Sequence, residues 1–205
     1  MMSIVIAQNT KTKERALLRS PLTLLSVAAM VCGLVLFGQG LWIHAKAYAA
    51  QILLERAFTQ SIASGNKVKP WSWADTWPVA RIEAPRLAAS AIALNGASGQ
   101  ALAFGPGHLQ NTPKAGETGT AVYAAHRDTH FAFLKDVEKG DLIRITRDDG
   151  KIFTYRATQM TVTRWDEAQI DIHASGSNLV LATCYPFDAV TQGPLRYLVY
   201  AELVE

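Results

Sequence analysis

Leu142-Ile143-Arg144-Ile145-Thr146-Arg147-Asp148-Asp149-Gly150-Lys151-Ile152-Phe153-Thr154-Tyr155-Arg156-Ala157 contains two strand arms around a tight turn. Asp148-Asp149-Gly150 is the turn, because glycine takes positive φ without the penalty a Cβ imposes. In the second arm Phe153, Tyr155 and Ala157 share one face, with Thr154 and Arg156 on the other. Period-two alternation on both sides of a glycine turn predicts a β-hairpin with arms at 142–147 and 152–163.

Similar runs lie on either side of the hairpin. Residues 79–83, 91–94 and 120–125 precede it, and 179–183 and 195–203 follow it, all bounded by turn residues. Residues 98–104 form a short helix, closed by Gly105-Pro106-Gly107. Short strands at fairly even spacing predict a mainly β domain, a barrel or a sandwich with small helical insertions. The sequence shows no internal repeat, Gly-rich phosphate loop or low-complexity tract.

The N-terminal part is different. Residues 22–43 carry no charge. As a helix they span about 33 Å, enough for a bilayer core of about 30 Å. Signal-peptide cores are shorter, about 7–15 residues, so the length favours an uncleaved anchor. Ala45-Lys46-Ala47 nevertheless has the small-x-small pattern of a cleavage site. Lys11, Lys13, Arg15 and Arg19 precede the run and only Lys46 follows closely. That bias places the N-terminus in the cytoplasm and the rest outside, a single-pass protein of the inner (cytoplasmic) membrane with an extracytoplasmic domain. The formal charge of +3 arises before residue 44, where four basic residues face Glu14. The remainder is neutral, which gives no electrostatic footprint for nucleic acid, and none is expected as a partner.

Ala47, Ala50, Leu54, Phe58 and Ile62 recur at helical spacing, as in a helix docked on the domain or, with few basic residues for that role, an interfacial helix lying on the membrane, until Gly65-Asn66 stops it. Trp71, Trp73 and Trp77 then either sit at the headgroup level or pack on the domain. The expected organisation is a cytoplasmic tail at 1–21, an anchor at 22–43, a membrane-proximal helix and linker at 44–70, and the catalytic domain at 71–205.

Two cysteines are present, Cys32 within the apolar run and Cys184 far from it. They are not expected to pair, which leaves an exported domain with one unpaired thiol. Cys184 ends one strand candidate in Leu181-Ala182-Thr183-Cys184-Tyr185-Pro186-Phe187. His126 follows another in Ala124-Ala125-His126-Arg127-Asp128-Thr129-His130-Phe131, and Arg196 opens the last. Strand ends on a rigid scaffold are where reactive groups are commonly placed. A cysteine can act as nucleophile and a histidine can protonate a leaving amine. An arginine, permanently charged and fork-shaped, can hold a carbonyl or a developing oxyanion.

Leu181-Ala182-Thr183-Cys184 resembles the signature around the catalytic cysteine of the sortases. His126 with Phe131, Phe133, Leu134 and Gly140-Asp141 resembles their histidine region, and Arg196 matches their arginine in order and setting. The resemblance covers about residues 71–205 and is nearest the proteobacterial sortases, in which His-Arg-Asp-Thr-His-Phe and Thr-Cys-Tyr-Pro-Phe are familiar strings. Val180 stands where many sortases have threonine, and Ala125 where many have glycine. The resemblance implies a closed eight-stranded β-barrel. It implies a cysteine transpeptidase acting on a sorting sequence related to Leu-Pro-x-Thr-Gly on an exported protein, with Cys184, His126 and Arg196 as its catalytic residues. The amine acceptor is left open, and neither cofactor nor metal is required. A thiol peptidase or hydrolase on the same fold, or a non-catalytic β-barrel that binds an exported partner, are the alternatives.

Several neighbours have two readings. His126 and His130 have a zinc-like spacing, but Arg127 stands where the metalloprotease motif needs glutamate. His130 is expected to be structural or a groove residue. Asp128 either orients His126 or is a turn carboxylate. Thr183 either donates a hydrogen bond beside the nucleophile or fills its strand. His44, His173, Arg127 and Asp141 are expected to be solvated.

Overall fold

The computed structural model describes residues 21–191 and 193–204. The basic residues 11–19, and most of the expected tail at 1–21, lie outside the described residues. The chain divides into two compact units, the first ending at Tyr48 and the second beginning at Ala49.

In the first unit the chain is helical throughout the described residues, within α1 (Pro21–Ser64). Its large apolar side chains, including Leu25, Leu34, Phe37 and Leu41, are exposed. Among the described residues α1 is the one helix long and apolar enough to cross a membrane. The apolar run and the periodic segment after it both fall within α1. No proline or glycine lies between residues 41 and 64 to break it.

In the second unit the last turns of α1 dock as the spacing predicts. Leu54 and Phe58 are buried against Ile92, Leu94 and Ala101. Glu55 pairs with Arg81, whose guanidinium lies 5.2 Å from the Phe58 ring centre. Gly65, at φ 69°, ends the helix with its N–H on the Ser61 carbonyl. Trp71 packs edge-on against Phe104 at 5.0 Å, whereas Trp73 stays exposed.

The strands are β1 (Pro78–Ala84), β2 (Ala89–Asn95), β3 (Gly107–His108), β4 (Gly119–Ala124), β5 (Leu142–Arg147), β6 (Ile152–Arg164), β7 (Ser177–Cys184) and β8 (Leu195–Leu203). They close into a barrel in the order β1-β2-β3-β4-β7-β8-β6-β5. The β2–β3 and β4–β7 pairs are parallel and the others antiparallel. The β5–β6 hairpin forms as predicted, with Gly150 at φ 78°. A short helix, α2 (Gly99–Phe104), starts on Ser98, whose hydroxyl accepts from the Ala101 N–H.

Strand β3 has only two residues, too few for an alternation signal. Tertiary packing accounts for it: a Cβ on Gly107 would sit 2.4 Å from the Gly96 carbonyl oxygen, so only glycine fits this approach.

The barrel interior is filled by Ile82, Tyr123, Ile143, Ile145, Tyr155, Leu179, Leu181 and Val199. Strand β7 is covered on both faces. Leu179 and Leu181 point inward, while Val180 joins Val122 and Leu198 in an outer cluster with Ile170 and Ala168. Double burial explains why 179–183 is a continuous apolar run rather than an alternation.

Candidate active site

Three neighbouring strands, β4, β7 and β8, build the site. Parallel pairing sets Ala124 opposite Ala182, and the Ala125 N–H continues the ladder to the Ala182 carbonyl at 3.1 Å. Two residues further on, that register brings His126 level with Cys184. Across the other edge of β7, Cys184 is the register partner of Arg196.

Strand periodicity then fixes their direction. Val122, Ala124 and His126 share a face, as do Val180, Ala182 and Cys184, and Arg196 and Leu198. That face is the outer one, where Val122, Val180 and Leu198 cluster. His126, Cys184 and Arg196 accordingly line one groove of about 310 Å³. Its walls are mostly apolar, from Val122, Ala182 and Leu198 beneath and Leu102, Leu109, Trp165, Ala168 and Ile170 around them. His126 is exposed, and Cys184 and Arg196 are half-buried. Thiol, imidazole and guanidinium are thus open to a ligand on an apolar bed.

The arginine is held by its own loop. Nη1 of Arg196 donates to the Gly193 carbonyl at 3.0 Å and the Leu195 carbonyl at 2.9 Å. The other edge of the guanidinium has no hydrogen bond to a described residue, so its donors remain open to a ligand.

A model of the sortase domain matches residues 82–204. The chain belongs to the sortase family. It is 32% identical over 124 residues to Sortase D of Bacillus subtilis (strain 168), an alignment that covers 60% of this chain and 62% of the relative. The chain thus spans less than two thirds of that relative's length. Among solved structures it is similar to a Clostridium perfringens Sortase D5 transpeptidase, with a TM-score of 0.62 and 20% identity over 77% of this chain and 99% of the other. It is also similar to Sortase A from Corynebacterium diphtheriae, with a TM-score of 0.59 and 23% identity over 78% and 85%. The expected closed eight-stranded sortase barrel is therefore the fold of this chain.

The other expected site residues of the sortase domain are placed unequally. Thr183 is buried, and its hydroxyl donates to the Ala125 carbonyl at 2.8 Å, 58 residues away in sequence. It ties the strand of Cys184 to the segment that leads into His126. His130 is half-buried and outside the groove. Burial holds its imidazole below the ordinary histidine value, as does the charge of nearby His126, while a hydrogen bond with the Ala103 backbone opposes both. Asp128 is exposed on the turn after His126 and does not line the groove. Cys32 and Cys184 are both free. Among the described residues no cluster of three His, Cys, Asp or Glu side chains is placed to hold a metal ion.

Two residues expected to be solvated are not. Arg127 is 9% exposed, and its Nη2 donates to the carbonyls of Ala189 and Thr191. The Asp141 carboxylate, with 11% of its side chain exposed, accepts two bonds from Arg86 and one from the Glu138 N–H. In each case the partner is a distant chain segment. Trp165, Ala168 and Ile170 also form groove walls, and three apolar residues within a polar connection are their signal in the sequence.

Proposed function

We propose that the chain is a membrane-anchored cysteine transpeptidase that cleaves an LPxTG-like C-terminal sorting signal and joins the exported protein to an amine. The observation that carries this is the convergence of Cys184, His126 and Arg196 on one groove from three adjacent strands. The Cys184 thiolate attacks the threonine carbonyl carbon. As the C–N bond breaks, His126 gives its proton to the departing amine, leaving a thioester on Cys184. An incoming amine then attacks the thioester and yields a proton to His126, and the C–S bond breaks. Arg196 binds the carbonyl oxygen, whose charge grows in both steps. The apolar bed of the groove suits the aliphatic part of the signal.

Residues 22–43 would anchor the chain in the inner membrane, with the N-terminus inside and a catalytic domain at 71–205 outside. A substrate that is itself exported demands that side for Cys184. The proteobacterial affinity rests on the strings at 126–131 and 183–187, since the relatives reported above come from Bacillus, Clostridium and Corynebacterium.

The test is to incubate the full chain with a sorting-signal peptide and weigh the protein after quenching in acid. An acyl adduct on Cys184, discharged by an added amine, is expected. No adduct and no peptide cleavage would remove the proposal. In spheroplasts, an impermeant protease should digest the domain, whereas protection until lysis would overturn the orientation.

A further inference from the structure

We infer that Arg127 is a positioning residue that latches the β7–β8 loop on the amine side of Cys184, and so favours an amine over water in the second half-reaction. The inference rests on the transpeptidase reading above. Arg127 follows His126 directly, in the turn beyond β4, and does not line the groove. Its Nη2 donates to the Ala189 carbonyl at 2.5 Å and the Thr191 carbonyl at 2.9 Å, 62 and 64 residues away. Among the described residues no carboxylate pairs with this buried guanidinium; the loop carbonyls meet Nη2, while Nη1 is buried without a hydrogen-bond partner.

The loop runs from the nucleophile to its arginine. Its root is fixed by the Tyr185 N–H on the Leu195 carbonyl and by Tyr185 and Phe187 packed on the Tyr197 ring. Beyond Phe187, Arg127 ties down the tip at Ala189 and Thr191, while the far end is held where the Pro194 carbonyl accepts from the Trp165 N–H at 2.9 Å. The two pinned carbonyls bracket Val190, whose side chain stands fully in solvent at 101% exposure. An apolar side chain with no packing of its own does not hold the tip in place.

Position assigns the loop its side of the reaction. The groove runs back from Cys184 over Ala182 towards Ile170. The acyl half must stay bound through both half-reactions, so the groove belongs to it. The loop leaves β7 in the other direction, where one amine departs and the next arrives. When an amine attacks, a C–N bond forms, the C–S bond breaks and the amine's proton passes to His126. When water attacks, a C–O bond forms instead and a free acid is released. A loop that moves admits water to the thioester.

The experiment uses the full chain in detergent micelles with a sorting-signal peptide, and hydroxylamine as the amine. Thioester formation and the ratio of hydroxamate to free acid are followed separately. For Arg127→Met, thioester formation should stay within about threefold of wild type while the ratio falls roughly tenfold. Arg127→Lys, which keeps the charge without the fork, should restore part of the ratio. Hydrogen exchange of the wild-type segment 187–191 gives a readout independent of any variant's folding, and slowed exchange is expected. An unchanged ratio in folded Arg127→Met, or wild-type loop amides exchanging like those of an unstructured peptide, would overturn the latch. A wild-type protein that forms no thioester would instead refute the transpeptidase reading, and the exchange measurement would still judge the latch.

Discussion

Cys184 and Arg196 face each other as register partners across the antiparallel pair β7–β8, one the last residue of its strand and the other the second of its own. Partners in such a pair lie roughly 5 Å apart at Cα and project to the same face. The sheet ladder itself therefore sets the two side chains on one face as neighbours, and the Gly193 and Leu195 carbonyls then hold the guanidinium.

Replacing Cys184 by alanine should abolish acyl transfer and leave the melting temperature close to wild type. The side chain is half-buried at a strand end, so little packing is lost, but the covalent pathway disappears. Wild-type turnover of a sorting peptide by Cys184→Ala would rule out the mechanism.

Arg196→Lys keeps the charge but loses the planar fork. One edge of the guanidinium is committed to the Gly193 and Leu195 carbonyls. A lysine cannot hold them and also present donors to a carbonyl oxygen. The expected loss in kcat is about 10²–10³, the scale for removal of one oxyanion donor. Activity within a few-fold of wild type would reduce Arg196 to a bare charge.

His126 and His130 should separate cleanly in single alanine variants. His126 lines the groove level with Cys184, whereas His130 lies outside it and bonds to the Ala103 backbone. His126→Ala should be nearly inactive and His130→Ala active, with any loss appearing in the melting temperature. The opposite pattern in a peptide-cleavage assay would reverse the assignment.

Thr183→Val preserves shape but strands the buried Ala125 carbonyl. Leaving such an acceptor unsatisfied costs about 1–3 kcal/mol, to be read from chemical denaturation. Because the same bond holds the approach to His126, kcat should fall while KM changes little. A stable variant with full kcat would make Thr183 mere strand filling.

Acid should weaken the pair formed by Arg86 and Asp141. The Arg86 hydrogen bonds hold the Asp141 carboxyl below its ordinary value, against a smaller opposing effect of burial. The folded state then binds fewer protons than the unfolded one, whose aspartate titrates near about 3.9. The stabilisation is complete above that pH and is lost as pH falls through the folded value. Arg86→Met should lower the melting temperature at neutral pH, and its deficit should shrink below about pH 4. A deficit independent of pH would assign the effect to the Arg86 bond with the Asp136 carbonyl instead.

Most of the strands and the apolar span were legible in the sequence because their signals are local. The β5–β6 hairpin follows from alternation and one glycine, and β8 spans residues 195–203 as its pattern predicts. Cys184, His126 and Arg196 lie at or beside strand ends, which periodicity reveals, but it is the resemblance to the sortase motifs that singles them out as site candidates.

Partners across the barrel are a different matter. The parallel pairing of β4 with β7 brings residues such as Ala125 and Thr183 into contact across 58 positions, and local pattern carries no information about that register. The two-residue strand β3 is too short to show a period. Arg127 and Asp141 have the composition of solvated residues and are instead held by carbonyls 62 and 64 residues away and by an arginine 55 residues away. Whether a charged side chain is buried depends on whether a distant segment returns to satisfy it. The sequence by itself determined most of the segments that form strands and which groups are candidates for the chemistry. Only closure of the barrel decided which of those groups meet, because register and desolvation are properties of the packed chain rather than of any window along it.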